Sequence, residues 1–205
     1  MATDDYTQDG PLAREIAQVI PYFPFKGIPR FYDVGGLLAS PTHFQKVVDI
    51  MAARYGDLKI DAIGGFDARG FLFTPVALAL NKPFFMLRKK GKMPNTIYGE
   101  QYTKEYAGSD CLGIPRGAVK PGDRVLLIDD LVATGGTLTA GVELVEAQGA
   151  TVVECACMVE LKFLEGAKKV QSKFPHANVW GFISEDILLN EAKLPDGYED
   201  DGEAH

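Results

Sequence analysis

Two adjacent carboxylates, Asp129 and Asp130, follow the apolar run Val125 to Ile128 and precede Leu131-Val132-Ala133-Thr134-Gly135-Gly136-Thr137. The order of these residue types is what gives them a chemistry. An apolar strand delivers two acids, and a small loop bearing glycine then opens a helix. Glycine lets backbone N–H groups approach an anion with no Cβ in the way. A helix N-terminus adds its dipole and unpaired N–H groups, which suit a phosphate. Thr134 and Thr137 add hydroxyl donors, and the two aspartates can accept hydrogen bonds from vicinal hydroxyls. The segment reads as phosphate beside diol, the pattern of a ribose 5-phosphate. It is not a Walker A loop or a dinucleotide fingerprint, since neither GxxxxGK[ST] nor GxGxxG occurs.

Three other stretches carry groups of the same chemical leaning. Gly65-Phe66-Asp67-Ala68-Arg69-Gly70-Phe71 is a tight loop with N–H groups and a planar guanidinium fork for phosphate oxygens. Arg88, Lys89, Lys90 and Lys92 concentrate positive charge in an acidic chain and can attract polyanions. Pro21 to Phe31 holds three prolines and four aromatics, a shaped non-helical segment whose rings need a surface to cover or a ring to stack on.

The elements that position these groups follow from periodicity. Leu12, Ile16, Val19 and Ile20 have helical spacing. Ser40-Pro41 starts a second helix, continued by Phe44, Val47, Val48, Met51 and Tyr55 and closed by Gly56. Ile60–Gly65, Pro83–Leu87, Val125–Ile128, Val152–Val159 and Val179–Ile183 read as strands, with helices to about Leu80 and over Thr137–Gln148. The stretch from Lys89 to Gly108 reads as one long polar loop of the functional kind. Strands alternating with helices predict an α/β fold, a mainly parallel central sheet flanked by helices. In such sheets ligands sit at the carboxyl ends of strands, here after Gly65, Leu87 and Ile128.

The chain has 205 residues, 46% of them hydrophobic, and a net charge of −7. That supports one sizeable core and argues against nucleic acid as a partner, which needs a basic face. No run approaches the roughly 20 apolar residues of a membrane span, and the polar Met1–Gly10 is not read as a signal or transit peptide. The three cysteines, Cys111, Cys155 and Cys157, have no metal-ligand spacing; Cys155 and Cys157, in an apolar run, read as buried thiols, and the sparse, odd count fits a reducing compartment. The acidic stretch from Pro195 to His205 reads as a solvated tail.

The segment around Asp129 and Asp130 resembles the PRPP-binding motif of type I phosphoribosyltransferases. By that resemblance Asp129 and Asp130 bind ribose hydroxyls, and Ala133, Thr134, Gly135, Gly136 and Thr137 hold the 5-phosphate. Further segments resemble the adenine phosphoribosyltransferases within that family. Asp67, Ala68, Arg69 and Gly70 match a pyrophosphate loop that usually carries Ser where Ala68 stands, at the loss of one hydroxyl. Arg88, Lys89 and Lys92 match a pyrophosphate-clamping run, with Arg88 acting in its own site or in a neighbouring chain's. Tyr102-Thr103-Lys104-Glu105-Tyr106 is similar to a mobile catalytic loop, with Glu105 as its acid/base and Tyr106 adjacent. Gly27-Ile28-Pro29-Arg30-Phe31 resembles a hood over the base, in which Ile28, Arg30 and Phe31 take part. Phe31 is the stacking candidate, and Leu131 covers the opposite face.

The resemblance implies a type I phosphoribosyltransferase fold. Residues 1–40 form the N-terminal helix and hood, 41–185 the core, and 186–205 a C-terminal extension. It implies transfer of the phosphoribosyl group of PRPP to adenine, giving AMP and pyrophosphate, with Mg2+ bound mainly through PRPP. A homodimer in the cytoplasm, with no membrane attachment, completes the expectation. The alternatives are another base, or a non-catalytic regulator sensing PRPP or a purine.

Overall fold

The computed structural model describes residues 6–99, 102–103, 109–188 and 196–199 (for 102, 103, 109 and 110, the backbone). A short helix, α1 (Pro11–Ala17), leads into a hairpin of β1 (Tyr22–Phe25) and β2 (Ile28–Tyr32). A one-turn helix, α2 (Gly35–Leu38), precedes α3 (Pro41–Tyr55), which starts with proline where its missing N–H costs nothing. Then come β3 (Ala62–Phe66), a 3-10 turn over Arg69–Phe73, α4 (Thr74–Ala79), β4 (Phe84–Lys89), β5 (Thr96–Tyr98), β6 (Tyr102–Thr103) and β7 (Ser109–Asp110). The chain continues through β8 (Leu112–Pro115), β9 (Arg124–Val132), α5 (Gly136–Glu146), β10 (Thr151–Glu160), α6 (Gly166–Lys173) and β11 (Asn178–Ser184).

Seven strands form the central sheet in the order β11-β10-β9-β3-β4-β8-β5. The pairs from β11 to β4 are parallel, while β8 joins β4 and β5 antiparallel. This is the mainly parallel α/β sheet that the strand–helix alternation predicts. Ala62–Phe66 of β3 and the stretch Val125 to Ile128 of β9 are apolar and buried because both faces of the sheet are covered there. One core packs α1, α3 and α4 with Ile63, Ile128, Met158 and Phe182. The other packs Val142 and Val145 of α5 with Phe66, Leu87, Leu127 and Cys157.

The chain runs from β3 outward to β4, then returns to place β9 on the other side of β3. The gap between the carboxyl ends of β3 and β9 is therefore a topological switch point, where open α/β sheets bind ligands.

Several elements differ from the expectation. Strand β9 does not stop at Ile128 but runs to Val132, because β10 continues to pair with it there, Cys157 opposite Asp129 and Glu160 opposite Val132. Its pairing with β3 ends at Ile128. Asp129 to Val132 thus have β10 on one side and the switch-point gap on the other. The stretch after Lys89 is not structureless, since β5 lies within it and pairs with β8. Pro21–Phe31 folds as a hairpin, with a register shift around Pro24. The cysteines are free and buried, as expected of Cys155 and Cys157, and burial raises the thiols of those two, which keeps them protonated and inert.

The N-terminal segment is not a loose appendage. Ala13, Ile16, Ala17 and Ile20 are fully buried in the main core. Asp9 accepts hydrogen bonds from the backbone N–H (2.7 Å) and the hydroxyl (2.6 Å) of Ser184 at the end of β11. On the far side, Glu154 accepts from Arg54 Nε and Nη2 (2.9 Å each), the Tyr55 hydroxyl (2.6 Å) and Asn178 Nδ2 (2.6 Å). Arg54 also lies 4.6 Å from the Trp180 ring centroid. A charge nearly out of solvent is tolerated there because its oxygens are satisfied.

Candidate active site

The switch-point gap gathers most of the residues singled out in the sequence. Asp130 is buried and Asp129 half-buried at the end of β9. The Asp130 N–H donates to Asp129 Oδ1 at 2.9 Å, which fixes the first carboxyl against the backbone of the second. Arg69 Nε stands 2.9 Å from Asp130 Oδ2. The pair lacks hydrogen-bond alignment, so Asp130 Oδ2 is buried with no hydrogen-bond partner among the described residues. A buried acceptor of this kind is costly unless something donates to it. Burial raises the pKa of both carboxyls above the ordinary range. For Asp129 the charge of Asp130 adds to the rise, whereas Arg69 opposes it at Asp130.

Gly70 brings the 3-10 turn against this pair. A Cβ there would meet the Ile128 carbonyl oxygen at 2.6 Å and Asp129 Oδ1 at 3.3 Å. Only a residue without a side chain lets the loop after β3 approach β9 so closely. The same loop carries Asp67, whose N–H donates to the Leu87 carbonyl at 2.9 Å and whose Oδ2 accepts from Arg88 Nε at 3.0 Å. Arg88 also donates from Nη1 to the Lys92 carbonyl at 3.1 Å and lies 6.0 Å from the Phe71 ring centroid. These bonds tie Arg88 to the loop that carries Asp67. Lys89 and Lys92 are exposed.

The loop after β9 forms a small cleft of about 100 Å3 lined by Asp129, Leu131, Val132, Ala133, Thr134, Gly135, Gly136, Thr137 and Leu138. Gly135 has φ +77° immediately before α5, a conformation that L residues with a Cβ adopt at a cost. A residue that the sequence did not flag holds this loop in place. A Cβ on Gly166, at the start of α6, would stand 2.2 Å from the Ala133 carbonyl oxygen and 2.7 Å from Gly135 N. The two glycines interlock, and α6 braces the loop from behind. Leu131 is half-buried and packs on the main core from the lip of the cleft.

The hairpin covers the other side. Phe31 of β2 lies under Arg69, whose guanidinium carbon is 5.0 Å from the ring centroid, and Phe25 packs against Phe31 with ring centroids 5.1 Å apart. Ile28 pairs with Phe25 near the hairpin turn, and Arg30 is exposed over the Tyr22 ring at 5.6 Å. Glu105 and Tyr106 lie outside the described residues. A larger groove of about 420 Å3 runs between Tyr98, Gly99 and the end of α5, but its one carboxylate, Glu143, is already paired with Lys173.

The arrangement can hold a phosphate on the α5 end, hydroxyls on the aspartates, and a second polyanion between Arg69 and Arg88. Residues 33–192 match the phosphoribosyl transferase domain family. The chain is 48% identical over 157 residues, 76% of its length and 81% of the relative's, to adenine phosphoribosyltransferase 5 of Arabidopsis thaliana. Its fold is similar to that of the Trypanosoma brucei adenine phosphoribosyltransferase solved with AMP, pyrophosphate and ribose 5-phosphate (TM-score 0.84, 34% identity, 97% of this chain and 92% of that one). It is likewise similar to the Leishmania donovani enzyme (TM-score 0.86, 33% identity, 96% and 89%). The chain belongs to the phosphoribosyl transferase family and, within it, to the adenine phosphoribosyltransferases.

Proposed function

We propose that the site transfers the 5-phosphoribosyl group of PRPP to adenine, giving AMP and pyrophosphate. One observation carries the reading. A buried carboxylate oxygen, Asp130 Oδ2, lacks a hydrogen-bond donor among the described residues, beside Asp129 and between a phosphate cleft and Arg69. The ribose 2- and 3-hydroxyls supply the missing donors. The 5-phosphate takes the N–H groups of Ala133 to Thr137 and the hydroxyls of Thr134 and Thr137. Pyrophosphate lies between the loop Asp67–Gly70, Arg69, Arg88, Lys89 and Lys92.

Adenine enters between Phe31 and Leu131 under the hood, with Ile28 and Arg30 at its rim, and its N9 attacks C1. The C1–O bond to pyrophosphate breaks, and its electron pair leaves with the pyrophosphate. The transition state has oxocarbenium character, so catalysis is positioning plus charge stabilisation. Arg69 and Arg88 stabilise the leaving group. Glu105, beside Tyr106, takes the purine proton. The loop that carries them excludes water, which would otherwise hydrolyse PRPP.

No cluster of three or more metal-ligating side chains occurs among the described residues. Mg2+ would come with PRPP, with Asp129 and Asp130 as the nearby carboxylates that would help to hold it, and it would supply charge neutralisation for the leaving pyrophosphate. We further propose a homodimer working in the cytoplasm. Residues 1–40 serve as hood, 41–185 as core and 186–205 as extension. Among the described residues no helix is long and apolar enough to cross a membrane.

Calorimetric titration of PRPP with magnesium tests the site. Asp129→Asn with Asp130→Asn abolishes binding, and unchanged affinity would sink the ribose assignment. Glu105→Gln cuts turnover far more than it weakens PRPP binding. Near-wild-type turnover in that variant would remove Glu105 from the chemistry.

A further inference from the structure

The C-terminal extension touches the hood at a point that bears on the base. Tyr198 stacks on Phe23 of β1, ring centroids 5.3 Å apart and planes inclined by 22°. Its hydroxyl donates to the Pro24 carbonyl. Phe23 is the direct cross-strand partner of Phe31. Cross-strand partners share one face and pack together. Tyr198 thus bears on Phe23, which stands opposite Phe31 in the β1–β2 ladder.

The hairpin needs such support. A two-stranded hairpin is marginal by itself. Its base is anchored by Tyr22 and Tyr32, both buried in the main core. Toward the turn, Lys26 and Gly27 are exposed, and the ladder skips Pro24, the residue whose carbonyl Tyr198 engages. The surface around Asp196 to Glu199 is otherwise exposed and polar, so a half-buried aromatic is the feature of that stretch that needs a reason.

We propose that Tyr198 is a positioning residue for the base. Its ring and hydroxyl pin β1 from outside, and this sets where Phe31 stands when adenine stacks on it. The inference rests on the reading of Phe31 as the stacking residue. Its described contacts fall on Phe23 and Pro24 of β1, which are not among the groups assigned to PRPP, so the effect is expected on adenine first.

Steady-state kinetics with each substrate varied, together with hydrogen exchange of the hairpin, test the proposal. Tyr198→Ala raises the adenine KM about 3- to 10-fold, the worth of one aromatic pair, while the PRPP KM and kcat at saturation stay near wild type. Amides between Tyr22 and Tyr32 exchange faster in the variant. Tyr198→Phe keeps the ring and holds the adenine KM within about twofold of wild type, since the lost hydroxyl contributes one modest hydrogen bond. An unchanged adenine KM in Tyr198→Ala overturns the proposal. So does a parallel change in both KM values and kcat, which marks a general structural role, or a failure of Phe to restore the adenine KM. Phe31→Ala is measured beside them. If it leaves the adenine KM unchanged, the base-site reading has failed and the proposal falls with it. If it raises the KM and Tyr198→Ala does not, the pin alone has failed.

Discussion

Replacing Gly166 with alanine puts a methyl group where the phosphate loop now rests. The added Cβ would lie 2.2 Å from the Ala133 carbonyl oxygen and 2.7 Å from Gly135 N, both backbone atoms that cannot rotate away. Ordinary contact begins near 3.4 Å, so the loop or α6 must retreat by roughly 1 Å. The loop is the cheaper to move, because α6 is fixed by Val170, fully buried in the core with Val142 and Val145. A shift of that size at a positioning group costs on the order of 10²-fold in rate. The loop is assigned to the 5-phosphate, so the loss appears in kcat/KM for PRPP, with the PRPP KM raised and the adenine KM little changed. Overpacking also costs about 1–3 kcal/mol of stability, and in a domain of this size each kcal/mol lowers Tm by about 2–4 °C. Initial-rate kinetics with each substrate varied, run beside a thermal melt, read both effects. A variant that melts lower but keeps the wild-type kcat/KM for PRPP would refute the brace, because the clash would then have been absorbed in α6.

Three further outcomes follow from the same geometry. Burial raises the Asp129 pKa, so the empty protein loses stability as pH rises from the ordinary carboxylate range through the raised value. Asp129→Asn keeps the acceptor for the Asp130 N–H, removes that penalty and raises Tm at neutral pH, while PRPP binding is lost; a lowered Tm in melts at neutral pH would contradict this. Arg69→Lys cannot reproduce the flat fork over Phe31 beside Asp130, and kcat/KM for PRPP falls by about 10- to 100-fold, which initial rates at limiting PRPP measure. Glu154→Ala strands the half-buried Arg54 guanidinium and costs about 3–5 kcal/mol, a Tm drop of about 10 °C, with both KM values unchanged in the folded enzyme.

What the sequence made legible and what it hid have physical reasons. Asp129, Asp130 and the glycine loop were readable because an apolar strand, an acid pair and a helix start follow one another without interruption. The strand's extension to Val132 was not, because its cause is the ladder with β10, where Asp129 and Val132 face Cys157 and Glu160, each 28 positions later. Arg69 and Arg88 were readable as candidates by the rule for strand carboxyl ends, and Arg88 pairs with Asp67 on the loop after β3. Gly166 was hidden since a glycine that accommodates a distant backbone leaves no local signature. The hairpin was hidden because its three prolines read against strands, and Tyr198 because it engages residues 174 and more positions earlier, where nothing in an acidic stretch announces that one ring is used.

The central claim is tested most directly by product formation from PRPP, magnesium and adenine, run beside hypoxanthine, guanine, xanthine and orotate. AMP and pyrophosphate are expected in equal amounts from adenine, and no nucleotide from the other bases. A nucleotide from another base would contradict the hood as an adenine site. No product from any base, with PRPP still bound, would contradict catalysis and leave a protein that senses PRPP.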